Sequence, residues 1–227
     1  MPSLNRLQER LGLSFIDPRL LQSALLHRSF LHEHPDQAIG LIDNERLEFL
    51  GDAILNYLAA TLLFERYPAR GEGALTSLRS ALVKTTTLAE FARELDLGAY
   101  IRLSKGEEQS GARARDALLA DMFEALVAAI YLDKGLEAAR AFVLGPFERQ
   151  LELIERHGLA LDYKSRLQQR IQAERNQTPR YHVVAEEGQD PRREYTIEVL
   201  AGGVRLGSGR GPSKQTAAQA AARAALD

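Results

Sequence analysis

Residues 44–64 read NERLEFLGDAILNYLAATLLF, and the fold turns on how this stretch is taken. Its only acidic residues are Glu45, Glu48 and Asp52. At 100° per residue these fall within about 60° of one another on a helix, so they form one stripe. A solvated face is the ordinary reading of such a stripe. It fits poorly here, because Phe49 and Leu55 flank the acids while Leu47, Leu50, Ile54 and Leu58 fill the opposite side. A helix this apolar belongs in a core, where three carboxylates repel one another and lose hydration unless something positive joins them.

Residues 117–132, ALLADMFEALVAAIYL, repeat the anomaly. The only interior charges are Asp121 and Glu124, spaced i, i+3, with the small residues Ala117, Ala125 and Ala128 beside them. An acidic pair inside a core helix needs either Arg/Lys partners or a metal ion. Clustered oxygen ligands without paired His or Cys favour a hard cation, Mg²⁺ or Mn²⁺, over zinc. Two such helices meeting across a core could hold one or two divalent ions, the equipment for attacking a phosphodiester with an activated water.

Working outward, the chain reads as helical up to about residue 156. Asp17-Pro18 suggests N-cap then first helical residue, Thr87 with Glu90 suggests a capping box, and Gly98 is expected to end that helix. A polar stretch, Ser104–Arg115, precedes the second acidic helix, expected from Asp116 to about Leu132, and a last helix is expected over Phe147–Arg156. After a linker at 157–161 the texture changes. A helix (Asp162–Glu174), three strands (Arg180–Glu186, Arg193–Leu200, Val204–Gly209) and an alanine-rich helix (Ser213–Leu226) follow, with turns at Gly188–Pro191 and Gly202-Gly203. The expected architecture is therefore an all-α domain over 1–156 and a small α+β domain, α-β-β-β-α, over 162–227.

The 227 residues carry a net charge of −2, but unevenly: Asp162–Asp227 holds 11 Lys/Arg against 8 Asp/Glu, a balance of +3 that leaves −5 for the rest. An acidic part for metal and a mildly basic part for phosphate would divide this way. The absence of cysteine excludes disulfides and thiolate metal sites. Neither a targeting signal nor an apolar run approaching the roughly 18 residues of a membrane span is evident, so a cytoplasmic protein without membrane association is expected. His27 and the other four histidines lack paired metal spacing and read as packing or surface residues. No GxSxG, P-loop or dinucleotide fingerprint supports serine-hydrolase, nucleotide-hydrolase or hydride-transfer chemistry.

The string NERLEFLGD at Asn44–Asp52 resembles the signature of the ribonuclease III family, and LADMFEA from Leu119 resembles that family's second acidic motif. The likeness extends through EGALTSLRSALV at Glu72–Val83, and the tail is similar to the family's double-stranded-RNA-binding domain. The resemblance implies an all-α endonuclease domain with a metal cluster of Glu48, Asp52, Asp121 and Glu124, in which Asp52 and Glu124 lie closest to catalysis. Glu45 and Glu72 match further acidic positions that help set the substrate and the cleft. It also implies Mg²⁺ with Mn²⁺ able to substitute, double-stranded RNA as substrate, and a homodimer whose two sites each cut one strand. The products would be 5′-phosphate and 3′-hydroxyl ends with a two-nucleotide 3′ overhang, in the processing of ribosomal and other precursor RNAs. The Phe49/Leu55 side of the signature helix is a candidate for burial against the second subunit.

By the same resemblance, Ser165 and Gln168 on the first tail helix, and residues near His182 leading into the first strand turn, reach RNA minor grooves. The start of the last helix, here with Lys214, holds phosphates across the major groove, and Arg210, just upstream, could compensate for basic residues missing there. The family pattern has several basic residues in that turn; here Lys214 stands with Gln215 and Ala218 at positions often basic, and Lys164 and Arg166 could add contacts. A shallower salt dependence of RNA binding is expected. Two rivals are a non-catalytic double-stranded-RNA-binding dimer, in which at least one acidic position should be lost, and a helical phosphohydrolase of small nucleotides, which would not need the tail.

Overall fold

The computed structural model describes residues 3–156, 163–188 and 193–227, together with all their side chains except those of Arg156 and Ser165. The expected linker at 157–161, most of the turn at Gly188–Pro191 and the Ser165 side chain lie outside the described residues. The chain divides into two compact units, one of residues 1–69 and 78–150, the other of residues 70–77 and 151–227.

The nuclease-like part is helical: α1 (Leu4–Leu11), α2 (Pro18–Ala24), α3 (Arg28–Glu33), α4 (Glu45–Arg66), α5 (Glu72–Val83), α6 (Thr85–Glu94), α7 (Lys105–Gln109), α8 (Asp116–Lys134) and α9 (Leu136–Arg156). Asp17 caps α2 by accepting from the Arg19 N–H, with Pro18 in the first turn where no N–H is needed. Its centre is α8, which buries Leu118–Ala120, Met122, Phe123 and Ala125–Ile130. Phe91 of α6 and Phe142 of α9 pack on Phe123 with ring centroids 5.6 and 5.8 Å away.

Against α8 lies α4, burying Leu47, Ile54, Leu55, Leu58 and Leu63. Gly51 sits at the crossing: a Cβ there would lie 1.9 Å from the Glu124 carbonyl oxygen, so only glycine lets the two backbones approach this closely. By length and composition alone α4 passes for a membrane span, with a mean hydropathy of 1.4 over its most apolar window, contrary to the expectation that no segment would. Its packing on α8 accounts for the buried part of that apolarity as core.

Several helix boundaries differ from expectation. Thr87 forms no capping box: α6 begins at Thr85, and the buried Thr87 hydroxyl donates to the Ala81 carbonyl at 2.9 Å. Nor does Gly98 end α6, which stops at Glu94 with Asp96 in the left-handed region. Gly98 instead permits close approach, since a Cβ would lie 2.9 Å from the Arg113 carbonyl oxygen. The last helix starts at Leu136, not Phe147, and runs through Pro146. An internal proline costs about 3 kcal/mol, but Ala139, Val143, Phe147, Leu151 and Ile154 form one buried stripe across it, and that burial decides the outcome. The polar stretch at 104–115 contains α7, capped by Ser104.

In the tail, α10 (Tyr163–Arg175) precedes the antiparallel strands β1 (Arg180–Glu187), β2 (Glu194–Ala201) and β3 (Val204–Gly211), in sheet order β1-β2-β3, and α11 (Lys214–Leu226) follows. Gly202 and Gly203, both at positive φ, make the two-residue turn that pairs Ala201 with Val204. Strand β3 continues past Gly209 because its alternate glycines face α11. A Cβ on Gly207, Gly209 or Gly211 would come within 2.6, 2.2 or 2.9 Å of the α11 backbone. Ala217, Ala218, Ala221 and Ala222 complete this close packing over Ile197 and Val199.

Candidate active site

The first turns of α4 and the middle of α8 bring carboxylates together. Oxygens of Glu48, Asp121 and Glu124 all lie within 4.8 Å of one another, each side chain half-buried. Among the described residues, no lysine or arginine forms an ion pair with these three. The Arg/Lys explanation of a buried acidic pair therefore has no residue behind it. The cluster therefore has no lysine or arginine counter-charge, and burial adds to the repulsion among its members.

Burial, reinforced by Asp52, Glu48 and Asp121, pushes the Glu124 carboxyl up to about 8. Burial also raises Glu48, with Asp121, Glu45 and Asp52 adding repulsion, and raises Asp121. Asp52 lies one turn beyond Glu48, exposed, and accepts from Asn56 Nδ2 at 2.9 Å. Glu45 opens α4 and pairs with Arg28 at 3.2 Å. Glu72 opens α5 in the other unit, exposed, and accepts from Thr76 Oγ1 at 2.9 Å. Half-buried carboxylates at this separation suit a divalent cation bound through oxygen, and they offer no soft ligand for zinc.

The crossing glycine, Gly51, is the functional residue that sequence reasoning missed. It brings the α4 acids within reach of α8, and its position between Glu48 and Asp52 was the available signal. A second apolar feature occupies the outside of α4. Phe49, Tyr57 and Phe64, within about 80° of one another on the helix, are 80%, 56% and 73% exposed. Leu55, expected on that outer side, is fully buried inside the protomer.

In the tail unit, Gln168 is exposed on α10, Arg210 is exposed near the end of β3, and Lys214 is the first residue of α11. Ser213 caps α11 by accepting from the Thr216 N–H at 3.1 Å, and Lys214 Nζ lies 5.6 Å from the Tyr195 ring. His182 sits near the start of β1, not beside the β1–β2 turn. It lines a cavity of about 570 Å³ with Gln177, Thr178, Arg180, Leu200, Gly202 and Gly203.

Comparison with known proteins agrees with this two-part reading. The family model described as Ribonuclease-III-like matches residues 17–150, and that for the double-stranded RNA binding motif matches residues 163–227. The chain is 59% identical to Ribonuclease 3 of Roseiflexus sp. (strain RS-1) over 225 residues, covering 99% of this chain and 95% of that protein. It is 48% identical to Ribonuclease 3 of Chloroflexus aggregans (strain MD-66 / DSM 9485), covering 98% and 96%. A solved nuclease domain of ribonuclease III from Campylobacter jejuni, described for flexibility in a region involved in dimer formation, aligns with a TM-score of 0.60 at 36% identity. It covers 65% of this chain and 98% of that one. A helical unit with converging carboxylates, a second unit with the α-β-β-β-α order, and near full-length likeness in the same order together mean that this chain belongs to the ribonuclease III family.

Proposed function

We propose that the protein is an endoribonuclease that cleaves double-stranded RNA by metal-assisted phosphodiester hydrolysis, with Mg²⁺ as cofactor and Mn²⁺ able to substitute. The observation that carries this reading is the convergence of Glu48, Asp121 and Glu124 within 4.8 Å on two core helices, without a cationic partner. Glu48, Asp52, Asp121 and Glu124 would hold the ion. Once bound, it activates a water as nucleophile and offsets charge on the leaving oxygen. Glu124 keeps its proton near neutral pH while the cluster is uncompensated, and must lose it to act as a ligand. Asp52, more exposed, stands toward the substrate with Asn56 orienting its carboxylate. Glu45 and Glu72 shape the approach of the RNA.

The products are 5′-phosphate and 3′-hydroxyl ends with a two-nucleotide 3′ overhang, which requires two sites acting on opposite strands. A homodimer through the nuclease unit supplies them, and the exposed Phe49, Tyr57 and Phe64 on α4 support burial of that face against a second copy. Duplex RNA is read by shape through Ser165, Gln168 and His182 at minor grooves and through Arg210 and Lys214 at phosphates. Processing of ribosomal and other precursor RNAs in the cytoplasm is the corresponding cellular role. The test is cleavage of end-labelled duplex RNA with and without Mg²⁺, with RNA binding measured in parallel. Cutting that needs Mg²⁺ and is lost in Glu124→Gln while binding persists supports the reading. Binding without cutting under any divalent ion refutes it and favours a non-catalytic RNA-binding dimer.

A further inference from the structure

We propose that the nuclease unit carries a second site, sharing no residue with the acidic cluster, that binds a nucleoside monophosphate. The site is a cavity of about 310 Å³ lined from α1, α2 and the segment 97–102. Two groups in its wall are incomplete within the protein: a half-buried arginine without a counter-ion, and a buried tyrosine hydroxyl without a hydrogen-bond partner. The inference goes beyond the nuclease reading and does not depend on it.

Arg102 supplies the charge. Its backbone is held on both sides, the N–H donating to the Leu25 carbonyl at 2.9 Å and the carbonyl accepting from the His27 N–H at 3.1 Å. The guanidinium lies over the Phe30 ring, 4.1 Å from its centroid, and Nη2 donates to the Gln37 carbonyl at 3.4 Å. Among the described residues no carboxylate pairs with it. Arg19, the other cation in the wall, is already committed to Asp17, whose oxygens accept from its Nε and Nη2 at 2.9 and 2.8 Å. No acidic residue lines the cavity. A half-buried cation so placed loses hydration without compensation until an anion joins it, and a guanidinium suits the oxygens of a phosphate.

Tyr100 closes the short 3₁₀ turn Leu97–Tyr100 and is 3% exposed. Its hydroxyl hydrogen-bonds to none of the described residues, although a buried phenol ordinarily finds a partner. With so little surface open, what Tyr100 shows to solvent it shows to the cavity that it lines. Gln22 of α2 and Gln37 add two side-chain amides, also without a hydrogen bond among the described residues. Each amide offers a donor and an acceptor side by side, the complement of a nucleobase edge. Leu4, Leu25, Leu41 and the exposed Ile39 provide apolar surface for a flat ring. The volume is at the lower end for small-molecule pockets, which favours a single nucleotide over a peptide or a duplex.

Methyl ¹H–¹³C spectra of the full-length protein follow the cavity directly, in excess chelator so that no divalent ion occupies the acidic cluster. At least one of the four ribonucleoside 5′-monophosphates is expected to shift the Leu25, Ile39 and Leu41 methyl signals saturably. The matching nucleoside and inorganic phosphate, each supplying one half of that ligand, are expected to bind more weakly. Arg102→Gln should weaken the monophosphate by about tenfold or more. Tyr100→Phe should weaken it by about threefold or more while melting at or above the wild-type temperature, because a hydroxyl without a protein partner contributes nothing to the fold. No saturable shift with any of the four, wild-type affinity in either variant, or inorganic phosphate binding as tightly as the monophosphate would each overturn the proposal. Duplex RNA that shifts the same methyls and displaces the monophosphate would overturn it as well, by giving Arg102 to the RNA backbone. None of these outcomes involves duplex cleavage, so the nuclease reading is tested separately.

Discussion

Removing the charge of Glu124 should stabilise the metal-free protein at alkaline pH and leave it unchanged in acid. In the unfolded chain this carboxyl titrates at its ordinary value of 4.5, whereas in the folded protein burial and its acidic neighbours raise it to about 8. Between those values the folded state binds the extra proton. Stability is therefore fully present below pH 4.5 and declines as pH rises through about 8, where the folded carboxyl ionises. A rise of about 3.5 in pKa at roughly 1.36 kcal/mol each gives a nominal 5 kcal/mol. The side chain keeps some contact with solvent, and the screening this brings reduces the expected penalty to about 2–3 kcal/mol. Glu124→Gln, an uncharged isostere, should relieve it. In excess chelator at pH 9 the variant should melt roughly 4–12 °C above the wild type, and at pH 5 the two should coincide. Mg²⁺ at pH 9 should raise the wild-type melting point and leave the variant's nearly unmoved. Parallel melting curves of the two proteins across pH 5–9 would refute the argument that this carboxyl is strained by its surroundings.

Gly51→Ala should separate α4 from α8, because its Cβ would meet the Glu124 carbonyl oxygen at 1.9 Å. A loss of about 3 kcal/mol or more in denaturant unfolding, together with lost Mg²⁺-dependent cleavage, is expected, and a wild-type midpoint would count against the close crossing. Phe49→Asp with Phe64→Asp places charge on the exposed α4 face without touching the protomer core, so sedimentation should show a monomer at concentrations where the wild type is dimeric. A dimer that persists in the double variant would remove this face as the subunit contact. Lys214→Gln should lower the slope of log affinity against log salt for duplex RNA by about 0.7–0.9 in magnitude, whereas an unchanged slope would mean that Lys214 meets no phosphate.

Much of the fold was legible because burial and periodicity agree over most of the two acidic helices and along β2. Carboxylates set into an apolar helix are costly, so Glu48, Asp121 and Glu124 stood out against their surroundings without any knowledge of where α4 and α8 cross. What was missed depends on contacts distant in sequence. Pro146 reads as a helix stop, and only the stripe from Ala139 to Ile154, closed by partners elsewhere in the chain, carries α9 through it. Thr87 looks like a cap by spacing but spends its hydroxyl on Ala81 inside a core. Leu55 and Phe49 flank the acidic stripe about 120° apart on a helical wheel; the protomer core covers one and leaves the other bare. Gly51 and Gly98 signal nothing locally, because each matters for a backbone that approaches from another helix or loop.

The glycine ladder of β3 bears on how the tail unit can tell one helix shape from another. Because Gly207, Gly209 and Gly211 put main chain against main chain, no side chain of theirs stands between β3 and α11 to change the height of the helix over that strand. The height of α11 above β3 is held as a calliper holds a set opening. In a unit that matches the double-stranded RNA binding motif, a helix held this way presents its first turn as a set shape instead of one adjusted by repacking. Packing of this kind is stored in the backbone, which leaves the outward-facing Gln215 free to vary in charge without changing the height of the helix, whereas Ala218 is held in the core.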